Sequence, residues 1–487
     1  MPIKQNFIYN SILTLSQYII AIIVFPYVSR VLGVNNIGIV GFIDNTINYF
    51  SLFALMGINL VGVREVAKSK FDDQELSLTY SKLLYLTGVL TTIVLCIYIV
   101  VILTVPQFKD YKTLFYIGVA KLISLSFVIE WFYRGVEKFK YIAVRGCVVK
   151  LLYVLLVFFL VIEKEDYIIY FILTVLMFVV NTVINILYAR KWVRFSFACC
   201  WKINSLLKQV LVLGVYSILT SMYTTFNVMY LGLVSTTTQV GYYFTALKIY
   251  TIILGLFSAF TGVVMPRMSS LLAQNNRSEF DRIINISFNI LVTFCVPIVI
   301  VSILIAPQII ELLSGTGYKG AILPMQIIMP LVLVVGVSQI LVHQVLIPMR
   351  LDKIVLHASI IGCFTGLLFN VLFVEIYGSI GTAFVLVSSE LLVTLYYVYK
   401  ICQSKIVQIP WKLFLCNFLG AVPYLIVYYF CAELFYSFWT MLVSFLFASA
   451  VLFFVIQILF LKNEIILNLF HIKIINKPVG GIKKIIY

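Results

Sequence analysis

The sequence predicts an all-α polytopic membrane protein with about fourteen transmembrane helices, and three observations point to this fold class. Hydrophobic residues make up 62% of the 487 residues and charged residues only 11%, whereas soluble domains are nearer half apolar and a quarter charged. Apolar runs of the roughly 20 residues that cross a bilayer follow one another along the chain. Lys and Arg gather in alternate loops. This composition excludes a soluble enzyme, a disordered chain and a disulfide scaffold.

Each apolar run is expected to be a helix, because backbone polar groups in lipid must bond within their own segment. The strand alternation of an outer-membrane barrel is absent. The predicted spans are 7–32, 37–61, 80–105, 111–133, 142–162, 167–189, 208–233, 239–263, 283–306, 322–347, 354–376, 380–400, 412–431 and 438–461. Four prolines inside them either mark kinks or reflect the ordinary frequency of Pro in membrane helices, namely Pro26, Pro297, Pro330 and Pro423.

The positive charges predict the orientation of these spans. If the N-terminus is cytoplasmic, the inward loops and helix ends hold 27 Lys and Arg residues and the outward ones hold five. Because cytoplasmic loops carry the excess of Lys and Arg, both termini are predicted to lie on the cytoplasmic side of the membrane. The net charge of +16 is then a property of the loops, and no nucleic-acid partner is expected.

A weak internal repeat predicts two similar lobes. An offset of 203 residues aligns Gly38 with Gly241 and Arg64 with Arg267, and places Asn45 opposite Lys248. An even number of spans in each copy keeps both copies in the same orientation, related by an axis along the membrane normal. The predicted division is therefore residues 1–195 for an N-lobe of six helices, 196–400 for a C-lobe of six, and 401–487 for two added helices and a basic cytoplasmic tail.

No arrangement of residues predicts an enzyme, a cofactor or a metal site. The chain has only three His residues and lacks HExxH, GxSxG, DxD and Gly-rich phosphate motifs. The acidic group Glu163, Glu165 and Asp166 lies in a short turn without a His nearby. The adjacent pair Cys199–Cys200 has no CxxC spacing or His companion, so no metal or redox role is expected.

Ionisable residues inside the predicted spans are the best candidates for a functional site. Each costs about 2.5–3.5 kcal/mol at mid-membrane, so such residues normally face a bundle interior or a wet cavity. They are Arg30, Asp44, Lys121, Glu130, Lys150, Lys248 and Glu390. One interpretation is buried ion pairs, Asp44 with Arg30 or Lys248 and Glu390 with a lysine. The other is a cavity whose excess of cations attracts an anion. Six tyrosines are candidates for stacking on sugar rings or for simple packing: Tyr27, Tyr49, Tyr223, Tyr230, Tyr242 and Tyr243.

Two stretches of the chain carry the residue pattern of a known family of membrane proteins. The first stretch contains Asn10, Phe25-Pro26-Tyr27-Val28-Ser29-Arg30-Val31-Leu32-Gly33, Gly38, Asn48-Tyr49-Phe50, Gly57-Ile58, Gly62 and Arg64-Glu65. The second contains Gln344, Asp352-Lys353, Asn370, Tyr377-Gly378-Ser379-Ile380-Gly381-Thr382-Ala383 and Glu390. With these residues the chain resembles, over about 400 residues in family order, the polysaccharide-transporter (Wzx-type) flippases of the multidrug/oligosaccharidyl-lipid/polysaccharide (MOP) superfamily. The resemblance implies a location in a bacterial plasma membrane.

The resemblance implies two six-helix lobes around a central cavity, as in MATE transporters and lipid II flippases, and alternating access. It implies transfer of an undecaprenyl-pyrophosphate-linked oligosaccharide from the inner to the outer leaflet, for O-antigen, capsule or exopolysaccharide synthesis. The family's cavity cations would map onto Arg30, Lys121, Lys150 and Lys248, with Asp44, Glu130 and Glu390 as coupling or ion-pair candidates. The last two spans would form a groove for the lipid tail.

Membrane lipids are expected partners, a polymerase or ligase could act beside the transporter, and a monomer would suffice. The alternatives are a cation-coupled multidrug exporter on the same fold, which should have an acidic cavity, and a membrane enzyme, which should have a catalytic loop.

Overall fold

The computed structural model describes residues 3–196 and 204–469, in which every regular element is helical. The helices are α1 (Ile3–Leu55), α2 (Ile58–Ser69), α3 (Asp73–Thr104), α4 (Pro106–Lys109), α5 (Lys112–Phe127), α6 (Glu130–Gly135), α7 (Phe139–Leu160), α8 (Tyr167–Ala189), α9 (Asn204–Thr224), α10 (Phe226–Val234), α11 (Thr237–Ala273), α12 (Arg277–Leu304), α13 (Ala306–Ser314), α14 (Ile322–Ile328), α15 (Leu331–Gln339), α16 (Asp352–Phe369), α17 (Glu375–Gln403), α18 (Trp411–Gly420), α19 (Val422–Leu434), α20 (Phe438–Val455) and α21 (Glu464–Leu469). Cys199–Cys200 and residues 470–487 of the predicted tail lie outside the described residues.

Within the described residues, eleven segments are long and apolar enough to cross a membrane, or twelve if a pair bent by 44° counts as one span. Two of these segments, Ser16–Leu55 and Asp352–Gln403, contain 40 and 52 residues. At about 1.5 Å per residue each is roughly twice as long as a hydrocarbon layer is thick. The segments are therefore consistent with about fourteen crossings, although that number stays a prediction.

Both of the longest segments change direction at a glycine with a positive φ angle. Gly33 lies inside α1 with φ 76°, and Gly378 lies inside α17 with φ 53°. Residues with a Cβ rarely adopt these angles, whereas glycine does so at little cost. These glycines accordingly lie between the first and second predicted spans and between the eleventh and twelfth.

Other helices end within the predicted spans, so several of these spans are not single continuous helices. The second span breaks at Met56, the fourth at Ile129 and the seventh at Thr225. Pro330 precedes α15 and Pro423 lies in the first turn of α19, where a missing N–H costs nothing. Pro26 and Pro297 lie inside α1 and α12, which continue through them. Hydropathy misses such breaks because the residues on both sides are equally apolar.

The chain divides into two compact units. The first comprises Met1–Ile284 and Ala306–Gln408. The second comprises Asn285–Ile305 and Ile409–Tyr487. The predicted division into lobes at 195 and 400 differs from this partition and stays a prediction.

Within the first unit, α1 and α11 cross at two small residues that the repeat alignment had paired. A Cβ added to Gly38 would overlap the Thr237 carbonyl oxygen, and one added to Gly241 would overlap the Val34 carbonyl oxygen. Val34 and Thr237 are separated by the same 203 residues as Gly38 and Gly241. Each helix thus presents the same two positions to the other, which supports the predicted duplication. We name this contact the Gly38 crossing.

A second close contact lies near the other end of the second span. A Cβ on Gly57 would lie 2.6 Å from the Val210 carbonyl oxygen, and one on Gly214 would lie 2.7 Å from the Met56 Cβ. Gly57 follows Gly38 by 19 residues, which is about 28 Å of helix and close to the thickness of the hydrocarbon layer. We name this contact the Gly57 crossing.

Candidate functional site

A buried ion pair joins α1 to α5 at a position between the two crossings. Asp44 and Asn48 are one turn apart on α1, and the Lys121 ammonium on α5 donates to the carboxylate of Asp44. It also donates to Asn48 Oδ1 at 2.9 Å, while Asn48 Nδ2 donates to Asp44 Oδ2 at 3.1 Å. The side chain of Lys121 is 1% exposed and that of Asp44 is 24% exposed. The lysine is therefore fully enclosed, whereas one part of the carboxylate remains accessible.

Lys248 brings a second ammonium to this region from α11. It lies 5.0 Å from the centre of the Phe244 ring, one turn earlier on the same helix. Asp44 and Lys121 are its charged neighbours. Among the described residues, no carboxylate oxygen lies within 4 Å of Lys248, so its ammonium rests against the aromatic face of Phe244 while Asp44 acts on it from a greater distance.

Asp44, Lys121 and Lys248 together carry two positive charges and one negative charge, so one positive charge is uncompensated. Lys121 and Asp44 compensate each other, and the amide of Asn48 bonds to both. Lys248 has no comparable partner and comes from the opposite helix. An anion placed beside Lys248 would gain a charge-assisted hydrogen bond without breaking the Asp44–Lys121 pair. We name Asp44, Lys121 and Lys248 the central charge cluster.

Hydroxyl groups from α7 and α8 lie within electrostatic range of Asp44. Tyr153 lies 3.3 Å from Thr174 Oγ1 and hydrogen-bonds to Tyr170. The charge of Asp44 acts on both tyrosines. These are hydroxyl groups of the kind that hydrogen-bond to sugars, and the prediction of sugar-stacking tyrosines did not include them.

The structure brings together three of the seven predicted site residues and separates the others. The Arg30 guanidinium donates to the Leu312 carbonyl, and neighbouring Ser29 accepts a 2.9 Å bond from Tyr318. Arg30 therefore bonds across to α13, near the Gly38 crossing. The predicted Asp44–Arg30 pair is wrong, because Lys121 takes that carboxylate.

Glu130 belongs to a separate network in the N-terminal half of the chain. It accepts from Arg145 at 3.0 Å and lies 3.5 Å from Arg134. Arg145 is 7% exposed and also donates to Asn181 at 2.7 Å. Arg145 is one of the 27 Lys and Arg residues assigned above to the inward loops and helix ends, so its burial was not predicted. Its position three residues inside the predicted span 142–162 is the sequence signal that could have indicated this burial.

Lys150 and Glu390 have no ion-pair partner among the described residues. Lys150 donates to Ser16 Oγ at 3.0 Å. Glu390 lies among four tyrosines of the C-terminal half, with which it interacts electrostatically: Tyr216, Tyr223, Tyr250 and Tyr397. The predicted pairing of Glu390 with a lysine is therefore not found.

Packing accounts for most of the predicted sugar-stacking tyrosines. Tyr223 and Tyr243 are buried, and Tyr49 is buried with its ring 5.4 Å from that of Phe226. Tyr27 donates to the Val161 carbonyl at 2.8 Å. Tyr230 and Tyr242 are partly exposed.

Across residues 3–196 and 204–469, His, Cys, Asp and Glu form no group of three that could hold a metal ion.

Comparisons with known proteins agree with this architecture. A family model described as "Polysaccharide biosynthesis protein" matches residues 3–272, more than half of the chain. A protein of Escherichia coli (strain K12) described as "Putative O-antigen transporter" is 26% identical over 400 residues, which cover 81% of this chain and 95% of that protein.

Solved structures show the same fold. The lipid II flippase MurJ in an inward closed conformation superposes with a TM-score of 0.60 at 15% identity, covering 94% of this chain and 97% of that one. An outward-facing MATE family transporter of the MOP superfamily gives a TM-score of 0.58 at 15% identity, covering 83% and 96%. The protein is thus a multi-span helical membrane protein with the MOP fold, as the sequence predicted. The chain belongs to the polysaccharide biosynthesis protein family.

Proposed function

We propose that this protein is a flippase that carries lipid-linked oligosaccharides across a bacterial plasma membrane by alternating access. The observation that carries the proposal is Lys248, an ammonium without an ion-pair partner beside a self-compensated Asp44–Lys121 pair. A site with one cation left over suits an anionic cargo and does not suit a cationic drug. The family and the E. coli O-antigen relative support a polysaccharide cargo.

The proposed cargo is an undecaprenyl-pyrophosphate-linked oligosaccharide, moved from the cytoplasmic to the outer leaflet. Its pyrophosphate would bind beside Lys248, and its sugars would meet the hydroxyl groups around Tyr153 and Tyr170. A potential of 100 mV, negative inside, favours outward movement of each negative charge by about 2.3 kcal/mol. The protein then needs only to hydrate the sugars, compensate the phosphates and close behind them, so no catalytic group is required.

We propose that the prenyl tail of the cargo binds to the second compact unit. Two apolar clefts of about 230 and 280 Å³ lie along α12, lined chiefly by residues of α12 with α20 and with α18 and α19. Phe294, Pro297 and Phe453 contribute to the first, and Ile300, Phe418 and Leu425 to the second. Apolar side chains on facing helices offer a prenyl chain contacts similar to those of lipid.

The function of Lys248 can be tested in proteoliposomes that contain a labelled undecaprenyl-pyrophosphate oligosaccharide. Lys248→Met keeps much of the side-chain volume and removes the charge, so we expect flipping to fall at least tenfold. Lys248→Arg keeps the charge and should retain a substantial part of the rate. Flipping is measured as the rate at which labelled lipid becomes accessible to a reagent outside the vesicles.

Lys319→Ala is the matched control, because Lys319 is an exposed lysine of the same half of the chain. It should flip at the parental rate. A parental rate for Lys248→Met would remove Lys248 from the cargo site. If the parent flips no oligosaccharide but takes up a cationic dye with an ion gradient, the multidrug exporter becomes the better interpretation.

A further inference from the structure

A cavity of about 700 Å³ opens on the flank of the N-terminal half, at the start of α7 and the end of α8. Its wall includes Lys138, Lys140, Val144, Arg145 and Val148. None of these residues belongs to the central charge cluster. The cavity combines a cationic end with an apolar wall, and this combination is specific enough to indicate a ligand.

The cationic end lies where α7 begins. Lys138 and Lys140 are exposed, and no side chain caps the free N–H groups of the first turn of α7. Lys138 also lies 5.5 Å from the ring of Trp192, which holds its ammonium near the cavity. A helix N-terminus carries a partial positive charge and adds to the attraction for an anion.

The acidic residue in the cavity wall, Glu137, already forms an ion pair with a lysine outside the cavity. Glu137 accepts a 2.7 Å bond from Lys70, and this hydrogen bond holds the pKa of Glu137 below its usual value. Glu137 therefore remains ionised but is compensated from outside the cavity. Lys138 and Lys140 keep their charges available, since neither has an ion pair among the described residues.

Arg145 at the inner wall provides an independent observation. It is buried, and its two terminal nitrogens bond to Glu130 and Asn181. Its Nε is enclosed and has no hydrogen-bond partner in the described part of the protein. A buried donor without a partner is costly, and Arg145 lines the cavity, so a small shift of its side chain would let an acceptor oxygen in the cavity satisfy Nε.

The apolar wall continues from the cavity along α7. Val144 and Val148 are exposed, and so are Leu151, Leu155 and Phe159 at helical spacing along the same side. They belong to the candidate span Phe139–Leu160, so this face lies against lipid chains. A molecule with an anionic head at Lys138 and Lys140 could lay an acyl chain along this stripe.

We propose that this cavity binds an anionic phospholipid, with its phosphodiester between Lys138, Lys140 and the start of α7 and one acyl chain against Val144 and Val148. The site is separate from the proposed transport path. An anionic lipid fits better than a zwitterionic one, because the cavity has no uncompensated carboxylate to receive an ammonium headgroup. The charge count places this end of α7 at the cytoplasmic surface, where anionic lipids contribute a negative potential.

The test is native mass spectrometry of the full chain in detergent with added phosphatidylglycerol or phosphatidylcholine. We expect the parent to retain phosphatidylglycerol at least fivefold more than phosphatidylcholine. The double variant Lys138→Ala/Lys140→Ala should lose that preference. Lys353→Ala, which removes an exposed lysine at the start of α16, should keep it.

A second variant tests the apolar wall separately. Val148→Trp fills the groove and leaves the lysines intact, so phosphatidylglycerol retention should also fall severalfold, with the unfolding temperature in lipid-free detergent unchanged. Equal retention of both lipids by the parent, or parental retention by both variants, would overturn the proposal. Full competition by glycerol phosphate would show that the site takes a free phosphate group, and this would equally reject a lipid site.

Discussion

The pairing of Asp44 with Lys121 explains how α1 and α5 tolerate two charges inside an apolar bundle. Lys121 is enclosed, and its ammonium has two oxygen partners one turn apart on α1. Phe178 lies 5.2 Å from the same ammonium. The desolvation cost of each charge is offset only while the other is present. Lys121 is therefore a structural residue first, and its direct contact with cargo is less favoured than that of Lys248.

Removing one partner of this pair should destabilise the protein more than removing both. Lys121→Met leaves the Asp44 carboxylate without its cation, and breaking a buried pair costs about 3–5 kcal/mol. Because Asp44 is partly exposed, we expect a loss near the lower end of that range. The loss appears as a lower unfolding temperature of the purified protein in detergent.

The double variant Asp44→Asn/Lys121→Met provides the comparison. Asparagine keeps a hydrogen-bonding partner for Asn48 and carries no charge, so this variant should recover most of the lost stability. If the double variant unfolds as early as Lys121→Met, the pair does not act as a unit. Lys319→Ala, at an exposed lysine outside the cluster, should change the unfolding temperature little.

The sequence alone identified the positions of the intramembrane charges but not their partners. Partner choice depends on helix rotation, which a hydropathy profile does not contain. The sequence predicted Arg30 or Lys248 as the partner of Asp44, whereas the rotation of α1 about its axis turns Asp44 toward Lys121. Arg145 was missed for a related reason, because a cation near the end of a span can either extend to the interface or turn inward.

At the scale of helices, α1 packs closely against a partner helix at two places, one at the Gly38 crossing and one at the Gly57 crossing. The Gly38 crossing joins α1 to α11, and the Gly57 crossing joins the end of α1 to α9. Small residues allow backbones to approach closely, which strengthens packing in a membrane. The proposed alternating access requires that each end open in turn, so added side-chain volume at either crossing should hold that end apart.

Bulky substitutions at the crossings should trap opposite states. We expect Gly38→Val to prevent closure at the end predicted to face outward, and Gly214→Val to prevent closure at the other end. The native cysteines are first replaced, and Asn45→Cys is then introduced on α1 between the two crossings. Its reaction with a water-soluble maleimide measures how accessible this part of α1 is from either side of the membrane. Labelling should rise from outside for Gly38→Val and from inside for Gly214→Val.

Gly262→Val is the matched control for both substitutions, because a Cβ at Gly262 would meet no atom within 4 Å. Its labelling should equal that of the parent from either side. Unchanged labelling in Gly38→Val and Gly214→Val would mean that these contacts do not control access.

Amide groups hold the second compact unit together at the level of helices. Asn463 Nδ2 lies 3.0 Å from Asn289 Oδ1, 2.7 Å from Thr293 Oγ1 and 2.9 Å from Gln457 Oε1. Gln457 in turn donates to Asn417 at 2.8 Å. Residues from α12, from α18 and from the segment before α21 thus share one buried network.

Asn463→Leu should loosen this unit, because it removes the amide group that donates to the oxygens of Thr293 and Gln457 and lies within hydrogen-bond distance of Asn289. An interhelical hydrogen bond in a membrane is worth about 0.6–1.7 kcal/mol, so we expect a total loss of roughly 1–2 kcal/mol, measured as a lower unfolding temperature. Thr440→Val, a similar polar-to-apolar change at an exposed position of the same unit, should have little effect. Equal effects of the two variants would contradict a structural role for the network.

At the scale of the whole molecule, the sequence predicted the fold class, the helical content and the family. These follow from composition and from the order of apolar runs, which survive errors of several residues at each boundary. The positions where helices break did not follow, because Ile129 adopts a positive φ angle without a Gly or Pro beside it, and at the earlier break the positive φ angle falls on Met56 and not on the neighbouring Gly57. Tertiary packing imposes those turns.

The direction of transport should depend on the membrane potential. A pyrophosphate with about two negative charges gains up to about 4.6 kcal/mol per 100 mV across the full field, and only part of this acts on the rate-limiting step. We expect flipping to accelerate severalfold with an inside-negative potential and to slow when the potential is reversed. The rate is measured in proteoliposomes whose potential is set by potassium and valinomycin.

A monophosphate-linked version of the same oligosaccharide is the control for this experiment. It carries less negative charge, so its rate should respond less steeply to the potential. Equal rates at all potentials for both lipids would mean that no charge crosses the field in the slow step, and the anion argument for Lys248 would lose its support.

The reciprocal contact of Val34 and Gly38 with Thr237 and Gly241 has a consequence for the history of the chain. A surface that meets its own equivalent is isologous, the kind of interface that a symmetric homodimer of a half-length ancestor would have used. In such a dimer, both copies must carry the same residue at every position beside the axis. Fusion into one chain removes that constraint: Asn45 bonds to the carbonyl of Gly41 one turn back, whereas its counterpart Lys248 lies over Phe244, the counterpart of Gly41. A lysine at position 248 without a lysine at the equivalent position 45 is therefore a feature that only the fused, asymmetric protein could acquire.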